Sequence, residues 1–116
     1  MEPEYRELDD REWEILEALL EAEFPGGQEW REQLASMTVK QIIEDGTLSL
    51  RCDSGPPLPT KYLKLGTEGV CKDGDGGMIA ILLHADKDGF LSMLEILKYD
   101  GTPILKPPSA AEMEIF

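Results

Sequence analysis

The apolar residues of this chain change period once, at Thr38, and that change orders its layers. Before it, Trp13, Leu16 and Leu20 recur at helical spacing, with Ile15 and Leu19 widening the same face. After it, Leu48, Leu50 and Cys52 alternate with Thr47, Ser49 and Arg51, the period of a strand with one buried side. Helices first and strands second predict an α+β domain, two helices packed on one face of an antiparallel meander. The 116 residues are one domain's length, and no internal repeat or linker divides them. We therefore read 1–116 as a single α+β domain, with helices over about 9–36, the sheet over about 38–100 and an extended tail over 101–116.

The first helix has a readable start and stop. Asp9 can cap it, Glu12 completes a capping box, and Leu8 and Trp13 hold the two staple positions. Phe24-Pro25-Gly26-Gly27 ends it, because Pro25 disfavours helical geometry in its predecessor and the glycines turn the chain. A shorter helix from about Gln28 to Ala35 follows, with Trp30 and Leu34 as an i, i+4 pair. About five strands come next. Val39–Glu44 and Thr47–Cys52 flank Asp45-Gly46, a type I′ hairpin signal. A loop, SGPPLP (Ser54–Pro59), precedes a strand from Lys61 to about Val70, with Leu63 and Leu65 inward. Met78–Ala85 is continuously apolar, as in a central strand, and Phe90–Tyr99 closes the set. Trp13, Leu16, Leu20, Leu82 and Leu94, with Trp30 near them, form the expected core.

Charge narrows the partner classes. The net charge of −13 disfavours nucleic acid and anionic membranes, both polyanions. The acidic start MEPEYRELDD is unlike a signal peptide, and no apolar run approaches the ~20 residues of a spanning helix, so the expected location is the cytoplasm. Residues 1–32 hold 12 acidic and 3 basic side chains, so the excess lies in the helical part. On a helical wheel Asp10, Glu14, Glu17 and Glu21 line one ridge beside the Trp13–Leu20 stripe. Asp10–Glu14 and Glu17–Glu21 are like-charged i, i+4 pairs, each costing a few tenths of a kcal/mol. Glu21 and Glu23 stand at the negative end of the helix dipole, where acids are unfavourable. Stability alone would not choose this ridge. A solubilising face is its plainer use; docking a basic protein is the functional one, and an immunity-type protein or inhibitor of a cationic toxin or nuclease is a specific form of it.

Residues for chemistry are sparse. The segment HADKDGFLSMLE (His84–Glu95) spaces Asp86, Asp88, Gly89, Ser92 and Glu95 as a calcium loop would. His84 replaces the first acid, however, and the flanks read as strands, so a hairpin turn over Asp86–Gly89 is expected instead. His84 is the only histidine, and no nucleophile-elbow signature accompanies it. Cys52 and Cys71 lack metal or redox spacing and read as reduced thiols. The glycines of KDGDGG precede no helix and so form no phosphate loop. We expect a non-catalytic binding module with no metal and no cofactor. The competing reading is a small carboxylate-using enzyme or ligand binder sited at the Asp-Gly turns.

The stretches ILEALLEAEFPG and WREQLASMTV, then ILLHADKDGFLSMLEILKYDG with its DG-x-LS-x-LE pattern, resemble a family of small bacterial proteins of unknown function. The likeness covers most of the chain and is weaker between Arg51 and Gly77. It implies the one-domain fold and no activity. Met93 and Leu97 fall on the outward side of their strand, so that face is open to cover or to self-association as a homodimer.

Overall fold

The computed structural model describes residues 4–59 and 64–116, with the side chain of Lys64 left aside. Strand β1 (Arg6–Glu7) leads into helices α1 (Asp10–Glu23) and α2 (Gln28–Ala35). Strands β2 (Met37–Gln41), β3 (Leu48–Cys52), β4 (Lys64–Lys72), β5 (Met78–Ala85) and β6 (Leu91–Lys98) follow, then a 3₁₀ turn at Ala110–Glu112 and β7 (Glu114–Ile115). The α+β class holds, with two helices and seven antiparallel strands among the described residues instead of about five. The two extra strands are two-residue edges, too short to show a period.

The strands are not a simple meander. Their order is β1-β2-β3-β6-β5-β4-β7, so the β2–β3 hairpin joins a β4–β5–β6 meander through β3 and β6. The reason is burial: Leu48 lies opposite Leu94, bringing the inward sides of both units into one core. The expected strand start at Lys61 and the inward Leu63 lie outside the described residues, while Leu65 is buried as expected.

Four turns share one construction. Gly46, Gly76, Gly89 and Gly101 each donate a backbone N–H to the carbonyl three residues back and take a positive φ. Among the described residues no other residue type has a positive φ, so Asp45-Gly46 is not a type I′ turn, which needs it at both central residues. The hairpin is longer than expected, running from Gln41 to Leu48. Asp86–Gly89 is the hairpin turn its residues suggest, and Asp86 Oδ1 accepts from the N–H groups of Asp88 and Phe90. At Gly89 a Cβ would come within 2.7 Å of the Leu58 carbonyl oxygen, so φ and space both demand glycine.

The core gathers Ile15, Leu16, Leu19 and Leu20 of α1, Trp30 and Leu34 of α2, and the inward residues of the sheet. Two expectations fail here. Trp13 is 37 % exposed, because the buried stripe is centred on Ile15–Leu16 and Leu19–Leu20 and leaves it at the margin. Leu82 faces the other side of the sheet, opposite Glu95, because Ile79, Ile81 and Leu83 take the inward positions of β5.

Buried polar groups tie the layers together. Gln33 of α2 donates to the carbonyls of Pro56 (2.8 Å) and Gly89 (3.1 Å), and its Oε1 accepts from Leu91 N (3.0 Å). Thr47 Oγ1 accepts from Ile96 N and donates to Ile96 O, extending the β3–β6 junction. At the far end Lys98 Nζ reaches Asp73 (3.0 Å), Asp75 (2.6 Å) and the Pro103 carbonyl (3.2 Å). Asp73 also accepts from the backbone of Gly74, Leu105 and Lys106, so it pins the tail to the β4–β5 turn.

This last cluster sets a pH window. Burial alone would raise the Asp73 carboxyl, but its backbone donors and Lys98 outweigh that and hold it well below the usual range. The hydrogen bond from Lys98 likewise lowers Asp75. Its bond to Asp75 raises Lys98 in turn, against desolvation. A lowered carboxyl stabilises the fold above its unfolded pKa of about 3.9, and that contribution is lost as pH falls through the folded value. A raised lysine stabilises below about 10.4 and is lost as pH rises. Urea midpoints should therefore be flat between about pH 5 and 9 as far as this cluster is concerned. Asp73→Asn should lower that plateau and weaken the fall on the acid side; an unchanged acid limb would show that Asp73 does not act this way.

Candidate functional site

Helix α1 begins as its residues require. Glu12 N donates to Asp9 Oδ1 at 2.7 Å and Asp9 N to Glu12 Oε1 at 3.0 Å, a complete capping box. Glu12 is buried and also takes a bidentate pair from Arg6 of β1, both contacts 2.7 Å. Burial pushes its carboxyl up, yet the bonds from Arg6 and from the Asp9 backbone prevail and hold it low. The helix start is thus clamped to the edge of the sheet.

The four ridge acids, Asp10, Glu14, Glu17 and Glu21, are all exposed on the outer side of α1. They do not share one role. Glu17 accepts from the indole N–H of Trp13 at 3.0 Å. Glu21 accepts from Gly26 N at 3.0 Å and pairs with Arg31 at 3.2 Å, tying down the turn after the helix. Glu23 accepts from Gly66 N and from the Thr67 hydroxyl, joining the helix end to β4. The acids near the negative end of the dipole are therefore matched by donors, and the expected cost there is largely offset. These donors lie 5, 10 and more than 40 residues along the chain, where helical spacing cannot find them. Asp10 and Glu14 make no hydrogen bond or ion pair among the described residues.

Spacing alone puts Trp13 in the core, and the structure brings it into the ridge instead. Its ring borders a groove of about 290 Å³ between α1, the end of α2 and β2, which Leu8, Leu34 and Met37 also line. Thr38 lines the same groove, and its buried Oγ1 has no hydrogen-bond partner among the described residues.

The Asp-Gly turns present a different picture. Besides Asp73, Asp75 and Asp86, Asp45 accepts from Thr47 N and Asp100 from Thr102, so these five aspartates stabilise their own turns or the adjoining tail. His84 and Glu95, the first and last positions of the calcium-like spacing, bond to each other across β5 and β6 at 3.0 Å. Among the described residues no three His, Cys, Asp or Glu side chains gather as a metal-binding group. The cysteines are free. Burial pushes the Cys52 thiol up to about 11, so at neutral pH it is protonated and a poor nucleophile. Burial raises Cys71 as well.

Fold and surface define a small α+β domain with an acidic helix on its outside. The chain belongs to the family described as domain of unknown function DUF6984, whose model matches residues 5–108. That family carries no assigned activity. No curated protein matches the chain, and no solved structure matches it. No helix among the described residues is long and apolar enough to cross a membrane.

Proposed function

We propose that this domain is a non-catalytic binding module that docks a basic segment of another protein on the outer face of α1. The observation that carries this reading is Trp13, an exposed aromatic fixed by Glu17 beside Asp10 and Glu14, which make no bond among the described residues. An indole face ringed by carboxylates suits lysine or arginine twice over, through cation–π attraction and through charge. The neighbouring groove, bordered by Leu8 and Trp13, offers the partner a footing beside the indole. An immunity-type or inhibitor protein acting on a cationic toxin is one form such a module takes. Its own setting, on this reading, is the cytoplasm.

Glu14→Lys is the cleanest test, because Glu14 has no internal bond to lose among the described residues. Relieving its repulsion with Asp10 should raise the stability of the free protein by a few tenths of a kcal/mol. The same change should weaken binding of lysine- and arginine-rich peptides at least about tenfold, chiefly through the association rate. Binding should also fall steeply with salt, whereas Glu114→Lys, on exposed β7, should leave it nearly unchanged. Trp13 fluorescence reads the titration. Peptides whose association ignores both Glu14→Lys and salt would sink the proposal.

A further inference from the structure

We infer that the sheet face opposite the helices is a contact surface for a second copy of this chain. Both helices pack with the inward residues of the sheet, and Ile104, Ala110 and Met113 of the tail join them on that side. On the other face the register of β5 and β6 sets His84 opposite Met93, Leu82 opposite Glu95 and Ala80 opposite Leu97. Tyr99, bonded through its N–H to the Met78 carbonyl, continues the row. An antiparallel sheet facing water on one side ordinarily alternates to polar residues there. These two strands instead set Met78, Ala80, Leu82, Met93, Leu97 and Tyr99 together, with Leu97 46 % and Tyr99 63 % exposed. Ile43, 53 % exposed, borders a hollow with Leu97 at the end of the sheet, where Glu44 and Asp45 also line it.

Charge and area favour a second copy as the occupant. The chain carries −13 overall, so most approaches of two copies are repulsive. On this face the strands present Lys40, Arg51 and Lys72 against Glu7, Glu68, Glu95 and Glu114, with Tyr5 lying between Lys40 and Arg51, so it is far closer to neutral than the chain as a whole. Stacking the two sheets here turns both acidic helices outward, away from each other. Five strands about 4.8 Å apart and up to about 25 Å long offer on the order of 600 Å² in plan. That approaches the ~800 Å² each partner gives to a standard interface, and face-to-face sheet packing is a common way to bury such surfaces.

The test is sedimentation equilibrium of the full chain up to about 100 µM, a range that populates even weak dimers. A dimer is expected, and it should persist at high salt because apolar burial drives it, unlike docking on the ridge. Leu97→Asp should weaken it at least about tenfold while leaving the thermal melt of the monomer near that of the parent, since this side chain is already half exposed in one copy. Tyr99→Asp is the second variant, should the first fold poorly. A chain that stays monomeric throughout, or a dimer indifferent to both substitutions, would overturn the inference. A dimer broken by Glu14→Lys instead would move the contact to α1 and overturn it too.

Discussion

Replacing Gln33 by methionine is expected to cost about 2–5 kcal/mol, because the change keeps the volume and removes every polar bond the amide makes. The carbonyl of Gly89 would still have Leu58 N, at 2.8 Å, as a donor. Leu91 N, which is buried, would lose its acceptor at a cost of about 1–3 kcal/mol, whereas the Pro56 carbonyl, on an exposed residue, would lose its bond but can turn to water and adds less. A small domain holds only about 5–15 kcal/mol in total, so the loss would be plain in a urea midpoint. The amide hydrogen of Leu91 should also exchange faster than its β6 neighbours, a local sign that general weakening would not give. Unchanged exchange at Leu91 would rule out Gln33 as its holder.

The second large effect is a contrast between two leucines. Leu20→Ala should cost about 2–5 kcal/mol, since Leu20 is fully buried among α1 and sheet residues and its loss leaves a cavity. Leu82→Ala should cost well under half of that at low protein concentration, because Leu82 lies on the open face, half covered by its neighbours. Urea denaturation of both variants checks the pair. Equal losses would mean that the two faces of β5 have been exchanged.

That contrast marks where the sequence was readable. The helix start was legible because Asp9 and Glu12 bond to each other within one turn, and a capping box is a local event. The Asp-Gly turns were legible for the same reason, though the exact turn type at Asp45-Gly46 was not. Facing in β5 was hidden, since MIAILL is apolar at every position and only pairing with β4 and β6 selects a side. Trp13 misled because i+3 spacing to Leu16 places it near the buried stripe without saying how wide that stripe is. The ridge was legible as a row of charges but not as a set of bonds. Glu21 and Glu23 are engaged by Arg31, Gly26, Gly66 and Thr67, residues that only the fold brings near. Gln33 gave no signal at all: a glutamine in a short helix reads as solvent-facing.

The joining of β3 to β6 bears on the order in which the domain assembles. The hairpin β2–β3 and the ribbon β4–β5–β6 each close through short turns, and such contacts form early because little chain entropy is lost. The bond between Thr47 and Ile96 spans 49 residues, so the seam must close a far larger loop. Until it does, each half has an open strand edge and an uncovered apolar side, and neither has a complete core. Folding speed in such topologies is set by the distant pairing. The two short helices wait on the same event, since the surface they cover is built from both halves. The seam thus acts as the clock of the fold.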